Sequence, residues 1–390
     1  MPVEGSGELS ERIERHVAEL AAKTATSRAA TLRALSKDLA ALYGYRTELT
    51  DLFLKLFAPQ ECVEFVNANE QPRPVVIRVN TLKVQPKALV KALTQRGARV
   101  EPLPGFTKHA LRVVESTIPV GATPEYLGGH YMLQSASSLC PVLALAPRPG
   151  ERVLDVAAAP GGKTSFISQL MGNVGVVVSN DVSKERHVAT LANLHRLGVS
   201  NVLARTGDGR KFPEIMGSFD RVLLDAPCSG LGIVARDPNI KAKRSLADLQ
   251  KLSQLQRQLL LSAIDSADAA KAGVVVYSTC SIAVEENEAV VQYALDHRPV
   301  RLLDVTPELD DKGRPGFKRY QHHHFHPSMA HTRRFFPHVH NMDGFFVAKF
   351  HKLRNSTAAD GTSSLAASSS SPPPQKKKTT TTTTSTKEPS

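Results

Sequence analysis

The stretch RVLDVAAAPGGKT, residues 152–164, decides the fold class. It begins with an apolar strand pattern, passes through a loop of alanine, proline and glycine, and continues into the start of a helix. Small loop residues let the backbone approach a ligand closely, and the N–H groups of a helix N-terminus favour negative charge. This order predicts an open α/β sheet that binds a ligand at the carboxyl ends of its strands.

Regular alternation of strand and helix patterns continues from about residue 150. The predicted strands are RVLDVA, GVVVSND, NVLART, FDRVLLDA, GVVVYSTC, RLLDV and FFVAKF. Helix patterns such as KTSFISQLM, SKERHVATLANLHRLG and LADLQKLSQLQRQLLLSAIDSADAAKAG separate them. Strands that alternate with helices in this way predict a doubly wound, mostly parallel sheet.

Two smaller parts precede this region. Residues 8–57 have apolar residues at three- and four-residue spacing without proline, which predicts helix, and Pro59 is predicted to close it. Strand patterns at 74–82 and 109–114 flank an amphipathic helix over 86–100 that ends near Gly97. A β-α-β unit of this size predicts a small α+β module of the ferredoxin or RNA-recognition kind.

The predicted domains are a helical region at 1–69, the small α+β module at 70–125, an α/β domain at 126–352 and a tail at 353–390. The tail consists mostly of Ser, Thr, Pro and Lys, so it cannot build a core and is predicted to be disordered.

The composition favours polyanionic partners and disfavours a membrane-spanning or secreted protein. The 390 residues have a net charge of +12, which favours polyanions because phosphate neutralisation releases counterions. No apolar run approaches the roughly 18 residues of a membrane span, and the polar start predicts no secretory signal. Four cysteines without a C-x-x-C pair indicate a reducing compartment: Cys62, Cys140, Cys228 and Cys280.

Three ligands compete for the glycine loop. The dinucleotide fingerprint G-x-G-x-x-G is absent, and a P-loop would need glycine where Ala157 stands. S-adenosylmethionine needs a carboxylate for its ribose after the second strand and a polar side chain after the third. Asp181, Asp208 and Asp225 follow the second, third and fourth strands. These acids favour S-adenosylmethionine, and a P-loop-like nucleotide hydrolase is the alternative.

Two cysteines lie just past strand ends, in DAPCSG (225–230) and YSTCSI (277–282). Free cysteine is often buried for packing alone. Paired thiols also suit methylation of cytosine C5, a weak nucleophile that is activated when a thiolate adds to C6. Asp225 would then deliver a proton to the ring N3 edge. A second thiol would act as base or in product release, and residue chemistry does not rank Cys228 and Cys280.

Lys163 begins the helix after the glycine loop. Two interpretations of its side chain are open. The side chain is either a cation near the strand ends, where it favours a thiolate or positions Asp225, or a solvated group at a helix start. The histidines of 320–340 are crowded but have no acid or cysteine at metal-ligand spacing, so no metal site is predicted. Four residues of this segment either contact RNA or pack, namely Arg333, Arg334, Phe335 and Phe336.

The motifs AAAPGGKT, DAPCSG and YSTCS occur in the same order as in the RsmB/Nop/Sun family of RNA 5-methylcytosine methyltransferases, which the chain resembles over roughly residues 40–352. The resemblance includes RVNTLK before the α/β domain and FHPS, RRFFPH and MDGFFVAKF near its end. AAAP, QLLLSAIDS, VYSTCSIAVEENEAVVQYAL and HFHPS are most similar to the nucleolar proliferating-cell antigen branch, which acts on large-subunit rRNA.

The resemblance implies a Rossmann-like methyltransferase that uses S-adenosyl-L-methionine to methylate cytosine C5 in large-subunit rRNA. Its expected partners are pre-rRNA and pre-ribosomal particles in the nucleolus, with no membrane. Cys280 would be the nucleophile and Cys228 would assist release, with Asp225 and Lys163 also in the catalytic site. The expected cofactor contacts are Ala157, Ala158, Ala159, Pro160, Gly161, Gly162, Lys163, Asp181, Asp208 and Asp225. A ribosome-assembly factor that uses the fold as an RNA-binding scaffold is the alternative.

Overall fold

The computed structural model describes residues 6–103 and 109–355, so most of the predicted tail lies outside the described residues. Its helices are α1 (Ser6–Ala22), α2 (Arg28–Tyr43), α3 (Thr47–Leu56), α4 (Pro59–Asn69), α5 (Pro86–Gln95), α6 (Pro124–Leu127), α7 (Cys140–Leu145), α8 (Gly162–Leu170), α9 (Lys184–Arg196), α10 (Ile240–Lys243), α11 (Leu246–Ser266), α12 (Glu288–His297) and α13 (Pro337–His340). Its strands are β1 (Val76–Val79), β2 (Ala98–Pro102), β3 (Ala110–Ser116), β4 (Tyr131–Leu133), β5 (Arg152–Asp155), β6 (Val176–Asp181), β7 (Val202–Thr206), β8 (Arg221–Asp225), β9 (Val274–Thr279), β10 (Val300–Leu303), β11 (Arg314–Pro315), β12 (Arg319–Tyr320), β13 (His323–His324), β14 (Arg333–Phe335) and β15 (Phe345–Lys352).

The N-terminal helical stretch is divided by local capping. Ser27 begins α2 by accepting a hydrogen bond from the backbone N–H of Ala30, and Gly44 ends it in the left-handed region at φ 74°. The prediction that Pro59 closes the helical region was wrong. Proline is favoured at the first position of a helix because that N–H has no partner there, and Pro59 begins α4.

The small module is a four-stranded antiparallel sheet in the order β2-β3-β1-β4, with α5 packed on it through Leu89 and Leu93. The predicted end of the helix near Gly97 is confirmed, since α5 ends at Gln95 and residues 98–100 of the predicted range belong to β2. Gly97 takes φ 89°, and the chain then enters β2 at Ala98. Glycine adopts this conformation without the steric cost that a Cβ would add, so the helix ends here.

The larger sheet runs β11-β14-β15-β9-β8-β5-β6-β7, and β10 also pairs with β15. Strands β5 to β9 are parallel, as predicted. The two last predicted strands, β10 and β15, pair antiparallel instead. An antiparallel strand needs no crossover helix, and residues 304–344 contain no α-helix longer than four residues.

Strand order reverses at β5, because the chain leaves it toward β6 and β7 and later returns to its other side at β8. One hydrophobic core packs α11 and α12 on the sheet, and a second packs α7 and α8 on the opposite face. In sheets of this type ligands bind at the carboxyl ends of the strands near the reversal. The glycine loop, DAPCSG and YSTCSI all lie at that edge.

Arg78 of β1 joins the small module to the larger sheet. Its guanidinium, 1% exposed, donates hydrogen bonds to the carbonyl of Gly162 at 2.5 Å, Oε1 of Gln134 at 2.8 Å and Oγ of Ser165 at 2.8 Å. Burial lowers the pKa of Arg78 to about 9, so the group stays charged at neutral pH. One cation therefore connects β1 to the first turn of α8.

The segment that follows the histidines packs in the protein interior. Arg334, Phe335 and Phe336 are each at most 1% exposed, so the RNA-stacking interpretation is wrong for these three. Arg334 forms a buried ion pair with Glu288, and the Phe336 ring lies 5.2 Å from that of Phe57. Within residues 6–103 and 109–355, no group of three or more His, Cys, Asp or Glu is arranged to hold a metal ion. No helix in those ranges is long and apolar enough to cross a membrane.

We expect Arg78→Met to lower the free energy of unfolding by about 3 kcal/mol, because it leaves buried acceptors without a donor. Chemical denaturation measures the change. Arg99→Met, an exposed position on β2 of the same module, is the matched control and should change stability by no more than about 0.5 kcal/mol. If Arg78→Met and Arg99→Met unfolded at the same denaturant concentration, the connecting role of Arg78 would be contradicted.

Candidate active site

The predicted site residues meet at the carboxyl edge of the larger sheet. Two cavities open there. One, of about 480 Å³, is lined among others by Ala157, Asp181, Asp208, Cys228 and Cys280. The other, of about 330 Å³, is lined by the glycine loop, Lys163, Gln134 and Cys280. Asp225 borders both, so the two cavities share the wall that carries Cys280.

The two cysteines are in contact. The Sγ atoms of Cys228 and Cys280 lie 3.1 Å apart, although 52 residues separate them in sequence. The hydrogen bond with Cys280, together with burial, raises the pKa of Cys228 well above its ordinary value. Cys228 is therefore a neutral thiol at physiological pH, able to exchange a proton with its neighbour.

Lys163 is paired with Asp225 and is not a solvated residue. Its Nζ lies 2.5 Å from Oδ2 of Asp225, while the Ser278 hydroxyl donates to Oδ1 at 2.7 Å. Burial opposes the charge on Lys163, but the attraction of Asp225 outweighs it and raises the pKa of the lysine. Parallel register brings these groups together, since Asp225 on β8 lies opposite Ser278 on β9.

A second carboxyl group lies beneath this pair. Asp155 ends β5 and accepts a hydrogen bond from Thr164 Oγ1 at 2.7 Å. Burial raises the pKa of Asp155 to about 7, while Thr164 and Lys163 act in the opposite direction. The lysine is thus the cation that stabilises negative charge on both strand-end carboxyl groups.

The glycine loop is held by Asp181. This carboxylate, 2% exposed, accepts hydrogen bonds from the N–H of Ala159 at 3.0 Å and of Ser183 at 2.9 Å. Gly161 takes φ 89°, and a Cβ there would lie 2.9 Å from Cγ2 of Thr190. The loop therefore needs glycine both for its backbone angle and for its contact with α9.

The other predicted cofactor contacts differ in position. Asp208 lies at the cavity rim, where its hydrogen bonds with Arg210 lower its pKa. Ala158, Pro160 and Gly162 line the smaller cavity only. Gly161 lies in neither lining and acts through the loop conformation.

Sequence reasoning missed Glu286, which hydrogen-bonds to the loops of both cysteines and is fully buried. It lies in the acidic run EEN (285–287) just before α12, and acids at a helix start are ordinarily exposed. Arg78 and Ser278 were also missed as site residues, although both lie within motifs that carry the family resemblance. The sequence contains no local signal that marks Glu286 as buried.

Comparison with known families matches both folded parts of the chain. The family model for the 16S rRNA methyltransferase RsmB/F matches residues 142–351. A model for the ferredoxin-like domain of RsmF/B-like methyltransferases matches residues 54–120. Together with the observed sheets, these matches confirm the predicted fold class, a Rossmann-like α/β domain preceded by a small α+β module and helices.

Individual relatives extend this similarity. A 28S rRNA (cytosine-C(5))-methyltransferase of Mus musculus is 53% identical over 85% of this chain and 42% of its own length. The 25S rRNA (cytosine-C(5))-methyltransferase nop2 of Schizosaccharomyces pombe is 54% identical over 82% of this chain and 53% of its own. The chain thus spans about half the length of these relatives.

A solved structure agrees with the sheet and module described above. The methyltransferase homolog protein from Pyrococcus horikoshii is 37% identical, with a TM-score of 0.73. The match covers 81% of this chain and 98% of that protein. The similarity therefore includes the small module as well as the larger sheet.

We expect iodoacetamide to label Cys228 appreciably only above about pH 8.5, the ordinary cysteine pKa, because its raised pKa keeps it a thiol below that. In Cys280→Ala, loss of the hydrogen bond should move the rise in labelling to lower pH. Mass spectrometry of the peptide containing Cys228 measures both curves. Labelling of the unmutated protein at pH 7 as fast as that of a free cysteine peptide would contradict the raised pKa.

Proposed function

We propose that the chain methylates C5 of a cytosine in large-subunit rRNA with S-adenosyl-L-methionine. The chain belongs to the RsmB/F family of rRNA methyltransferases, and this membership is the basis of the proposal. The observation that carries the proposal is the contact between two strand-end thiols, 3.1 Å apart, beside the Lys163–Asp225 pair. Relatives named for 28S and 25S rRNA support the large-subunit substrate.

The larger cavity fits the cofactor. Its lining includes apolar side chains such as Val156 and Leu259, which suit an adenine ring, as well as carboxylates. Asp181 and Asp208 both line this cavity, and we propose that Asp181 binds the ribose hydroxyls and Asp208 the adenosyl group. When bound, S-adenosylmethionine supplies an electrophilic methyl group on a positively charged sulfur. Asp225 would face that positive charge from the end of β8.

The chain's own groups would activate the cytosine. The Cys280 thiolate adds to C6, and the electron pair of the C5–C6 bond moves through the ring toward N3. The Lys163–Asp225 pair supplies a proton or strong hydrogen bond to that edge, so negative charge does not accumulate. C5 thereby becomes nucleophilic enough to accept the methyl group.

Cys228 would complete the cycle. After methyl transfer the C5 proton must leave, and its electron pair restores the double bond as the Cys280–C6 bond breaks. Cys228 lies 3.1 Å from the departing sulfur and is a neutral thiol, so it can give that sulfur its proton. The Cys228 thiolate formed in this way then takes up the C5 proton, and N3 returns its proton to the Lys163–Asp225 pair. The family resemblance assigns the same order, with Cys280 attacking and Cys228 assisting release.

The family resemblance and the charge of the chain suggest a cellular setting. We propose that the chain acts on pre-ribosomal particles in the nucleolus during ribosome biogenesis. A net charge of +12 suits an RNA partner. Stacked neighbours cover the ring face through which a thiolate must reach C6, so the target base must be single-stranded or flipped out.

We expect Asp181→Ala to weaken binding of S-adenosylmethionine by about 10- to 100-fold, because it removes a charged hydrogen-bond acceptor from the cavity. Isothermal titration calorimetry measures the affinity. Asp296→Ala, an exposed acid on α12, should leave it unchanged. Absence of S-adenosylmethionine binding with concurrent ATP hydrolysis would favour the nucleotide hydrolase instead.

We expect Cys228→Ala to accumulate a denaturation-resistant adduct with unmodified large-subunit rRNA and S-adenosylmethionine, because release is blocked after Cys280 has attacked. Denaturing gel electrophoresis detects the adduct. The double variant Cys228→Ala/Cys280→Ala should show none. An adduct formed by Cys280→Ala alone would reverse the two roles. Failure of the unmutated protein to methylate, together with absence of any adduct, would favour the scaffold function.

A further inference from the structure

We infer that Glu286 is a positioning residue that holds Cys228 and Cys280 in contact. The inference rests on the proposed function, in which the two thiols act in sequence. The Glu286 side chain does not line either cavity at the site, so it acts through the loops that carry the thiols.

The carboxylate of Glu286 accepts hydrogen bonds from both cysteine loops. The backbone N–H of Ser229, next to Cys228, donates to Oε1 at 2.8 Å, and the Ser229 hydroxyl donates to Oε2 at 2.5 Å. The Ser281 hydroxyl, next to Cys280, also donates to Oε2 at 2.5 Å. One oxygen atom therefore joins the two residues that directly follow the thiols.

Further contacts fix Glu286 itself. Gln256 of α11 donates to Oε1 at 3.0 Å and to the carbonyl of Pro227 at 2.8 Å. The hydroxyl of Tyr277, on β9, donates to the Glu286 carbonyl at 2.6 Å. Because these partners come from a helix and a strand, the position of the carboxylate is set by rigid elements and not by the loops it holds.

A buried carboxylate is costly unless it is fully hydrogen-bonded. Glu286 is 0% exposed and has four donors for its two oxygens. If either loop moved away, the buried carboxylate would lose at least one of these hydrogen bonds without water to replace it. The cost of that separation keeps the loops together, and with them the two sulfur atoms.

The backbone of the same loops gives a second restraint. The N–H of Gly232 donates to the carbonyl of Cys280 at 2.9 Å, and a Cβ at Gly232 would lie 2.1 Å from the Gly344 carbonyl oxygen. These contacts limit how far the loops separate when Glu286 is changed. We therefore expect altered thiol geometry rather than loss of the fold.

The test measures the thiol contact directly, without RNA or cofactor. Diamide oxidises two neighbouring thiols to a disulfide and takes up their two protons and two electrons. We expect the Cys228–Cys280 disulfide to form about tenfold more slowly in Glu286→Ala than in the unmutated protein, because misplaced reacting atoms lose rate steeply. Mass spectrometry of peptides with alkylated free cysteines follows the reaction, and thermal unfolding verifies that the variant is folded.

Glu286→Gln is the conservative variant. Its amide oxygen can accept from Ser229 N–H and Gln256, and its amide nitrogen can donate to both serine hydroxyls after they rotate. We expect it to restore the oxidation rate, whereas a purely electrostatic role would leave it as slow as Glu286→Ala. Glu151→Ala removes an ion pair with Arg221 near the opposite ends of the strands and is the matched control for lost stability.

Should Glu286→Ala not fold, Ser229→Ala/Ser281→Ala removes the two hydroxyl donors while the carboxylate remains, and should also slow oxidation. Oxidation at the unmutated rate in folded Glu286→Ala, or no rescue by Glu286→Gln, overturns the inference. If oxidation changes as expected but no variant, including the unmutated chain, methylates rRNA, the positioning role stands and the proposed function fails.

Discussion

A charge removed from water must find partners inside the protein, and this constraint determines how the site is built. Arg78 donates to Gln134 and to two oxygen atoms of the helix that follows the glycine loop. Lys163 is satisfied by the strand-end carboxylate Asp225. Glu286 is satisfied by donors from both cysteine loops. For Lys163 and Glu286, the segments that supply the partners are the ones that the proposed reaction needs side by side, so the burial of these charges also assembles the site.

Parallel register converts sequence separation into proximity. DAPCSG and YSTCSI, whose cysteines are 52 residues apart in sequence, follow the neighbouring strands β8 and β9 and so lie next to each other. The sheet therefore brings the thiols together coarsely, while the hydrogen bonds of Ser229, Ser281 and Glu286 set their final separation. Because the sheet sets the approximate position of the thiols and the hydrogen bonds set their separation, two short loops without regular structure can hold reactive groups at contact distance.

Most of the fold and much of the site follow from the sequence, because strand ends and small-residue loops have local signals. The five parallel strands and the acids after them were predicted on that basis. The predictions that were wrong concern features that depend on tertiary context. Proline at 59 both follows one helix and begins the next, and the pairing direction of β15 is decided by the connection before it. Arg334 and Phe336 resemble an RNA-contacting surface in sequence but are buried by Glu288 and Phe57. The role of Glu286 could not be predicted from the sequence for the same reason, since its burial depends on partners from three separate segments.

The two cavities share a wall that includes Asp225 and Cys280, but Asp181 and Asp208 line only the larger one and Lys163 only the smaller one. In the proposed reaction, this difference in lining gives the cofactor and the RNA separate routes to and from the site. The spent cofactor can depart past Asp181 and Asp208 while the methylated base is still attached to the protein. In the proposed reaction neither product has to leave before the other, so the geometry imposes no fixed order of release. The lifetime of the bound RNA is then governed by the thiol pair, independently of how quickly the cofactor is exchanged.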